Sequence, residues 1–287
     1  MTILYRSIIL VISFLLISAC GDSSSQQSQQ AKSSEPTPAK VETASAVPAQ
    51  EVAAEKCSLT MGWEPWEPYH YEDQEQKVKG LDIEMLTMIS KEMGCDITFQ
   101  KGEWKELLHA VKTGSVDLLT GASVTESRRE FAHFSDGYRT EKFSLFVRNG
   151  ESDKYQQTNL TSMVKEGFRL GITMDYIYNH EVDELQDDPE LNKNVYPVSV
   201  GMINFSRLLD NQIDGFLEDP VVGASAIRRQ GLENKIELHP YAINTGDVHI
   251  MFSKSTITRE RVNEFNMALD KIRKDGRHKR LMDKYTN

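Results

Sequence analysis

Residues Val116 to Tyr138 read VDLLTGASVTESRREFAHFSDGY. The stretch opens as a short apolar run, Val116 to Leu119, passes through Thr120, Gly121, Ala122 and Ser123, and restarts at Thr125 as a charged, helix-like segment. That is the pattern of a strand running into a loop and then into a helix N-terminus. Backbone N–H groups left unpaired at such a helix start, the hydroxyls of Ser123 and Thr125, and the guanidinium of Arg128 or Arg129 together make a set that binds a carboxylate or a phosphate. A structural reading of the same residues stays open, in which Thr125 caps the helix and both arginines face solvent.

Asp117, the small-residue loop with Thr120, Gly121 and Ser123, the run Thr125-Glu126-x-Arg128, and a later Phe134-Ser135-x-x-Tyr138 follow one another in a fixed order. This order resembles the ligand loop of the bacterial extracellular solute-binding proteins of family 3, the periplasmic polar amino-acid receptors of ABC transporters. The resemblance extends over about Cys57 to Tyr285. It implies an α/β chain with a two-lobed periplasmic binding protein type II fold. Each lobe would be a mostly parallel sheet flanked by helices, with the ligand cleft between them. The expected boundaries are 56–147 plus 245–287 for lobe 1 and 148–244 for lobe 2.

Upstream, Met1 to Arg6 precede an apolar run from Ser7 to Ile17 and then Ser18, Ala19 and Cys20. The run is short for a membrane span and reads as an export signal over 1–19. Ile17-Ser18-Ala19-Cys20 looks like a lipobox, which makes Cys20 the lipidated first residue and the membrane contact a lipid anchor only. Residues 20–55 are rich in Ser, Gln, Ala, Pro and Glu and read as a disordered tether. The chain is thus expected in the periplasm or cell envelope. A net charge of −10 argues against nucleic acid as a partner.

Cys57 and Cys95 remain as a pair in an exported chain. They begin two apolar runs, Cys57 to Met61 and Cys95 to Phe99, with one helix between. In a right-handed βαβ unit these runs are parallel neighbours, so a Cys57–Cys95 disulfide is expected at one sheet edge.

Past the first run comes Gly62-Trp63-Glu64-Pro65-Trp66-Glu67-Pro68-Tyr69. A loop beyond the carboxyl end of a strand in an open α/β sheet is where ligands sit, so it should converge with the Thr120 loop. In the family an aromatic residue before x-Pro-Phe/Tyr lies on the bound side chain. Trp66 matches it, with Trp63 as a second wall; core filler is the alternative for both. Gly80-Leu81-Asp82 matches the family's Gly-x-Asp helix start, with Asp82 as the cap and Gly94 as the stop. Trp104, Leu107, Leu108 and Val111 recur at helical spacing, which places Trp104 in the core.

Lys142 to Val147 alternates as a strand and carries the chain to the second lobe, and Val248 to Phe252 brings it back. Two such crossings form a hinge. The family has a Gly-Thr/Ser-Thr turn after the first strand of lobe 2, which helps hold the ligand carboxylate. Here the positions read Asp175-Tyr176-Ile177, so the match fails, and a carboxylate there would repel a ligand carboxylate. Tyr176 is counted among the ligand-binding residues. At the end of the strand Ile213 to Leu217, Asp219 matches the family's acidic residue that binds a ligand ammonium, with Glu218 turned away. Asp219 as a plain helix cap is the alternative.

The set expected to bind ligand is therefore Trp63, Trp66, Thr120, Gly121, Ser123, Arg128, Tyr176 and Asp219. No catalytic residue, metal or cofactor is assigned, since the seven histidines are scattered singly. The resemblance implies a monomeric substrate-binding lipoprotein that takes up a small zwitterionic solute, such as an amino acid, and delivers it to an ABC transporter permease. Two other functions stay open: a ligand-sensing subunit for a membrane signalling partner, and an enzyme like the cyclohexadienyl dehydratases.

Overall fold

The computed structural model describes residues 57–286. The expected export signal, lipidated Cys20 and tether lie outside the described residues, and no described helix is long and apolar enough to cross a membrane. The chain runs β1 (Ser58–Trp63), β2 (Tyr71–Glu72), β3 (Val78–Lys79), α1 (Leu81–Met93), β4 (Asp96–Lys101), α2 (Trp104–Thr113), β5 (Leu118–Ala122), α3 (Glu126–Arg129) and β6 (Ala132–Phe134). It continues as β7 (Arg139–Arg148), α4 (Leu160–Lys165), β8 (Leu170–Thr173), α5 (His180–Asp187), β9 (Val195–Val198), α6 (Ile203–Leu209) and β10 (Gly215–Glu218). The last elements are α7 (Pro220–Gln230), β11 (Ile236–Ser253), α8 (Arg259–Lys274) and α9 (Arg277–Thr286).

Strands β4, β1 and β5 are parallel, and the end of β11 closes that sheet antiparallel to β5. Ser58 lies opposite Asp96, so Cys57 and Cys95 meet one step earlier and form the expected disulfide. Helices α1 and α8 bury Leu86, Ile89, Phe265 and Leu269 on one face, while Leu107 and Val111 of α2 pack with Leu119 and Met251 on the other. Gly94 adopts the left-handed conformation at φ 69° and ends α1, as its lack of a side chain permits. The second sheet is built likewise from parallel β9, β8 and β10. β7 joins it antiparallel beside β10. Two separate apolar clusters lie on this side of the chain, one around Leu160, Leu170 and Leu185, the other around Phe205, Leu208 and Phe216.

The two sheets share a ribbon. β7 and β11 pair antiparallel from Ile236 opposite Arg148 to Val248 opposite Arg139, with register breaks between Leu238 and Ala242 and between Asn244 and Gly246. Such irregularities raise local twist, which lets one strand leave a sheet and enter another. The returning strand is accordingly longer than Val248 to Phe252: it starts at Ile236 and spans 18 residues.

Asp82 departs from its expected role. Gly80 stands at the N-cap position of α1 with no side-chain cap, and Asp82 is fully buried instead, accepting a hydrogen bond from Tyr138 Oη at 2.6 Å. Its partners are Tyr138, Arg139 and His70, distant in sequence from the helix start, and these contacts outweigh capping.

Candidate ligand-binding site

The carboxyl ends of β1 and β5 and the loop after β8 meet in one cleft, lined by Trp63, Glu64, Trp66, Thr120, Gly121, Ser123 and Arg128 on one side and Asp175, Tyr176 and Ile177 on the other, with Glu141 and Phe143 of β7 between. Thr125 caps α3 by accepting from the Arg128 N–H at 3.2 Å. This short turn points the Arg128 side chain back into the cleft, where it is buried. Its Nη1 donates to the Ser123 carbonyl at 3.0 Å and its Nη2 crosses to the Asp175 carbonyl at 2.7 Å. The guanidinium also lies 5.7 Å from the Trp104 ring centre. Arg129 instead faces solvent beside Glu126. Of the two candidate arginines, Arg128 is the one in the cleft.

Gly121 needs to be glycine. Its φ is 68°, and a β-carbon there would come 3.3 Å from Arg139 Nη2 and 3.6 Å from the Trp66 ring. Its N–H donates to Tyr138 Oη at 2.8 Å, and Thr120 Oγ1 lies 2.7 Å from His70 Nε2. Under this floor sits Arg139, fully enclosed, 4.0 Å over the Tyr69 ring and within 3.6 Å of Asp82 and 3.8 Å of Glu141.

Residues 59–287 match the family described as bacterial extracellular solute-binding proteins, family 3. The chain belongs to that family. It is 22% identical over 77% of its length to "Probable amino-acid-binding protein YxeM" of Bacillus subtilis, covering 80% of that protein. It is 26% identical over 79% of its length to a "Probable histidine-binding protein" of Campylobacter jejuni, covering 84% of it. Among solved structures, an ancestral arginine-binding protein bound to arginine superposes with a TM-score of 0.69 at 20% identity, over 80% of this chain and 98% of that one. The fold is therefore the two-lobed type II arrangement of periplasmic binding proteins.

Seven of the eight residues expected to bind ligand line the cleft of this family 3 chain; Asp219 does not. One Asp219 oxygen accepts the N–H groups of Val221 and Val222 at 2.7 and 3.1 Å, and the other accepts from Tyr69 Oη at 3.3 Å. Both oxygens are thus committed, and the capping alternative describes the residue. Glu218 does not turn away: its Oε1 accepts from Trp66 Nε1 at 3.1 Å. Trp104 packs in the α2 core and also borders the cleft. Asp175 takes φ 61°, a left-handed conformation that suits glycine and that Asp tolerates.

Two acids went unread, Glu64 and Glu141. Glu64 sits inside the Trp63 to Trp66 loop, so its neighbourhood was a signal. Glu141 alternates with Arg139 and Phe143 as the buried face of β7; reading that period back past Lys142 would have found it.

Burial raises the Glu64 and Glu141 carboxyls to about 7 and Glu218 to about 8. Asp219 is raised for the same reason, against the pull of Arg139. At Asp82 burial pushes upward too, but Arg139 and His70 outweigh it and hold the group low. Groups raised in the folded state hold protons that the unfolded chain releases, so their contribution to stability is full below about pH 4.5 and is lost as the pH rises through 7 to 8. The urea midpoint of the ligand-free protein is therefore expected to fall from pH 5 to pH 8; a midpoint that rises over this range contradicts the assignment.

Proposed function

We propose that this chain is the substrate-binding lipoprotein of an ABC transporter, anchored by a lipid on Cys20. It would bind a small amino-acid-like solute that carries a carboxylate and a positive charge. The observation that carries the reading is the buried Arg128 guanidinium, facing a cleft that also holds the carboxyls of half-buried Glu64 and buried Glu141. Arg128 takes the solute carboxylate through paired N–H groups, with the Thr120 and Ser123 hydroxyls beside it. Glu64 takes the positive group, and Trp63, Trp66 and Trp104 cover the apolar part. Opposite charges can be buried together only when each finds its partner, which gives selectivity against solutes lacking either.

The β7 and β11 ribbon supplies the hinge on which the lobes part and close. Relatives named for binding histidine and amino acids support this solute class. On this reading the chain is a receptor and not an enzyme, and Arg128 and Glu64 act by holding charge.

Calorimetric titration with L-arginine, L-histidine and L-glutamine tests it. A cation holds Glu64 ionised, so affinity for arginine is expected to rise between pH 6 and pH 8 while that for glutamine stays flat. Equal pH dependence for the two would remove Glu64 from the role.

A further inference from the structure

The cleft already has something in it. Tyr176 leaves the loop after β8, crosses to the opposite lobe and donates its hydroxyl to Glu64 Oε1 at 3.1 Å. Its ring meets Trp66 edge-on at 6.3 Å and Trp104 edge-on at 6.4 Å, with Phe143 at 6.0 Å on its own side. The preceding residue, Asp175, gives its carbonyl to Arg128. One short strap of chain thus satisfies a donor at Arg128 and an acceptor at Glu64. The cavity left beside it is about 30 Å³, room for about two water molecules.

The strap has fixed ends and a loose middle. On one side Thr173 N–H donates to Tyr178 Oη at 2.9 Å, and Tyr178 packs on Phe143 at 4.7 Å. On the other, Asn179 caps α5 by accepting from the Val182 N–H at 3.1 Å. Between these anchors Met174 and Ile177 are each 38% exposed, so their side chains have little packing to give up when the strap moves, and the packing lost is that of the Tyr176 ring.

We propose that Tyr176 and the Asp175 carbonyl are a built-in occupant of the cleft, which a solute must displace, and that they mark the solute's chemistry: a carboxylate for Arg128 and a hydrogen-bond donor on a flat group for Glu64. The inference rests on the receptor reading and adds to it a competitor within the same chain. Affinity measured from outside is lowered by the fraction of molecules whose cleft is filled by the strap. Removing the tyrosine ring removes the competitor, whereas removing a wall that the solute leans on would weaken binding.

These opposite signs define the test. The probes are L-histidine, whose imidazole is a flat group with an N–H donor, and L-arginine, each titrated by calorimetry into wild type, Tyr176→Ala and Tyr176→Phe. Tyr176→Ala is expected to bind at least one probe tenfold or more tighter than wild type. Tyr176→Phe keeps the ring in place and loses only the bond to Glu64, so it is expected to gain about fivefold, and it keeps the test valid if the alanine variant does not fold. Equal or weaker binding of both probes by the folded variants overturns the inference and leaves the receptor reading standing. Failure of every protein to bind either probe overturns both.

Discussion

Arg128→Ala is expected to weaken binding of the carboxylate-bearing solute by at least a hundredfold without unfolding the protein. The guanidinium is the only cationic side chain among the cleft-lining residues apart from any charge on His70. Truncating one partner of a buried charge pair costs about 2–5 kcal/mol of binding, and about 2.7 kcal/mol is a hundredfold in affinity. Folding should survive, because Arg128 lies on a four-residue turn and its hydrogen-bond acceptors are two carbonyls, not carboxylates. Arg128→Lys is expected to recover only part of the loss, since an ammonium cannot match a carboxylate with paired donors. Calorimetry of the three proteins measures this; a loss of less than tenfold in Arg128→Ala would move the carboxylate elsewhere in the cleft.

Arg139→Leu is expected to act on stability, by about 3–5 kcal/mol, because it leaves Asp82 buried without its cation. Asp82 is fully enclosed, 3.6 Å from Arg139, with Tyr138 and His70 as its other partners. Around the same guanidinium stand Glu141 at 3.8 Å and, through Tyr69, Asp219. The double variant with Asp82→Asn should regain part of the loss, since the isolated charge is then gone. Urea unfolding of the two single variants and the double provides the coupling energy. A loss below about 1 kcal/mol in Arg139→Leu would mean that Asp82 is not held as an anion there.

The reach of the sequence follows how local each determinant is. Cys57 and Cys95 could be paired because one βαβ unit relates them, and that rule has few exceptions. Gly94 could be read as a helix stop from its own conformational freedom. The Thr120 to Arg128 loop carried its chemistry within nine residues, and the fold keeps those residues together. Asp82 and Asp219 illustrate the opposite case. Each stands at a helix start, where a cap and a distant partner are both available: Asp82 is taken from capping by Tyr138 and Arg139, at least 56 positions away, while Asp219 keeps its cap and gives its second oxygen to Tyr69. The length of β11 was hidden for a similar reason: His239, Pro240 and Tyr241 break its pattern, and only pairing along β7 shows that the strand continues. Glu64 and Glu141 escaped because an acid in a loop or a strand usually points to water. What holds them inward is the Trp104 N–H and the Tyr176 hydroxyl at Glu64, and Arg139 and the Thr245 hydroxyl at Glu141.

The central claim is that the cleft holds a small carboxylate-bearing solute through Arg128. A thermal-shift comparison of wild type and Arg128→Ala against amino acids, polyamines and aromatic acids tests it most directly. A solute that binds only the folded state at a hundred times its dissociation constant adds about 2.7 kcal/mol, which is visible as a raised midpoint. The account predicts that at least one carboxylate-bearing solute raises the midpoint of wild type and leaves that of Arg128→Ala unchanged. Equal shifts in both proteins, or shifts from polyamines alone, would contradict it.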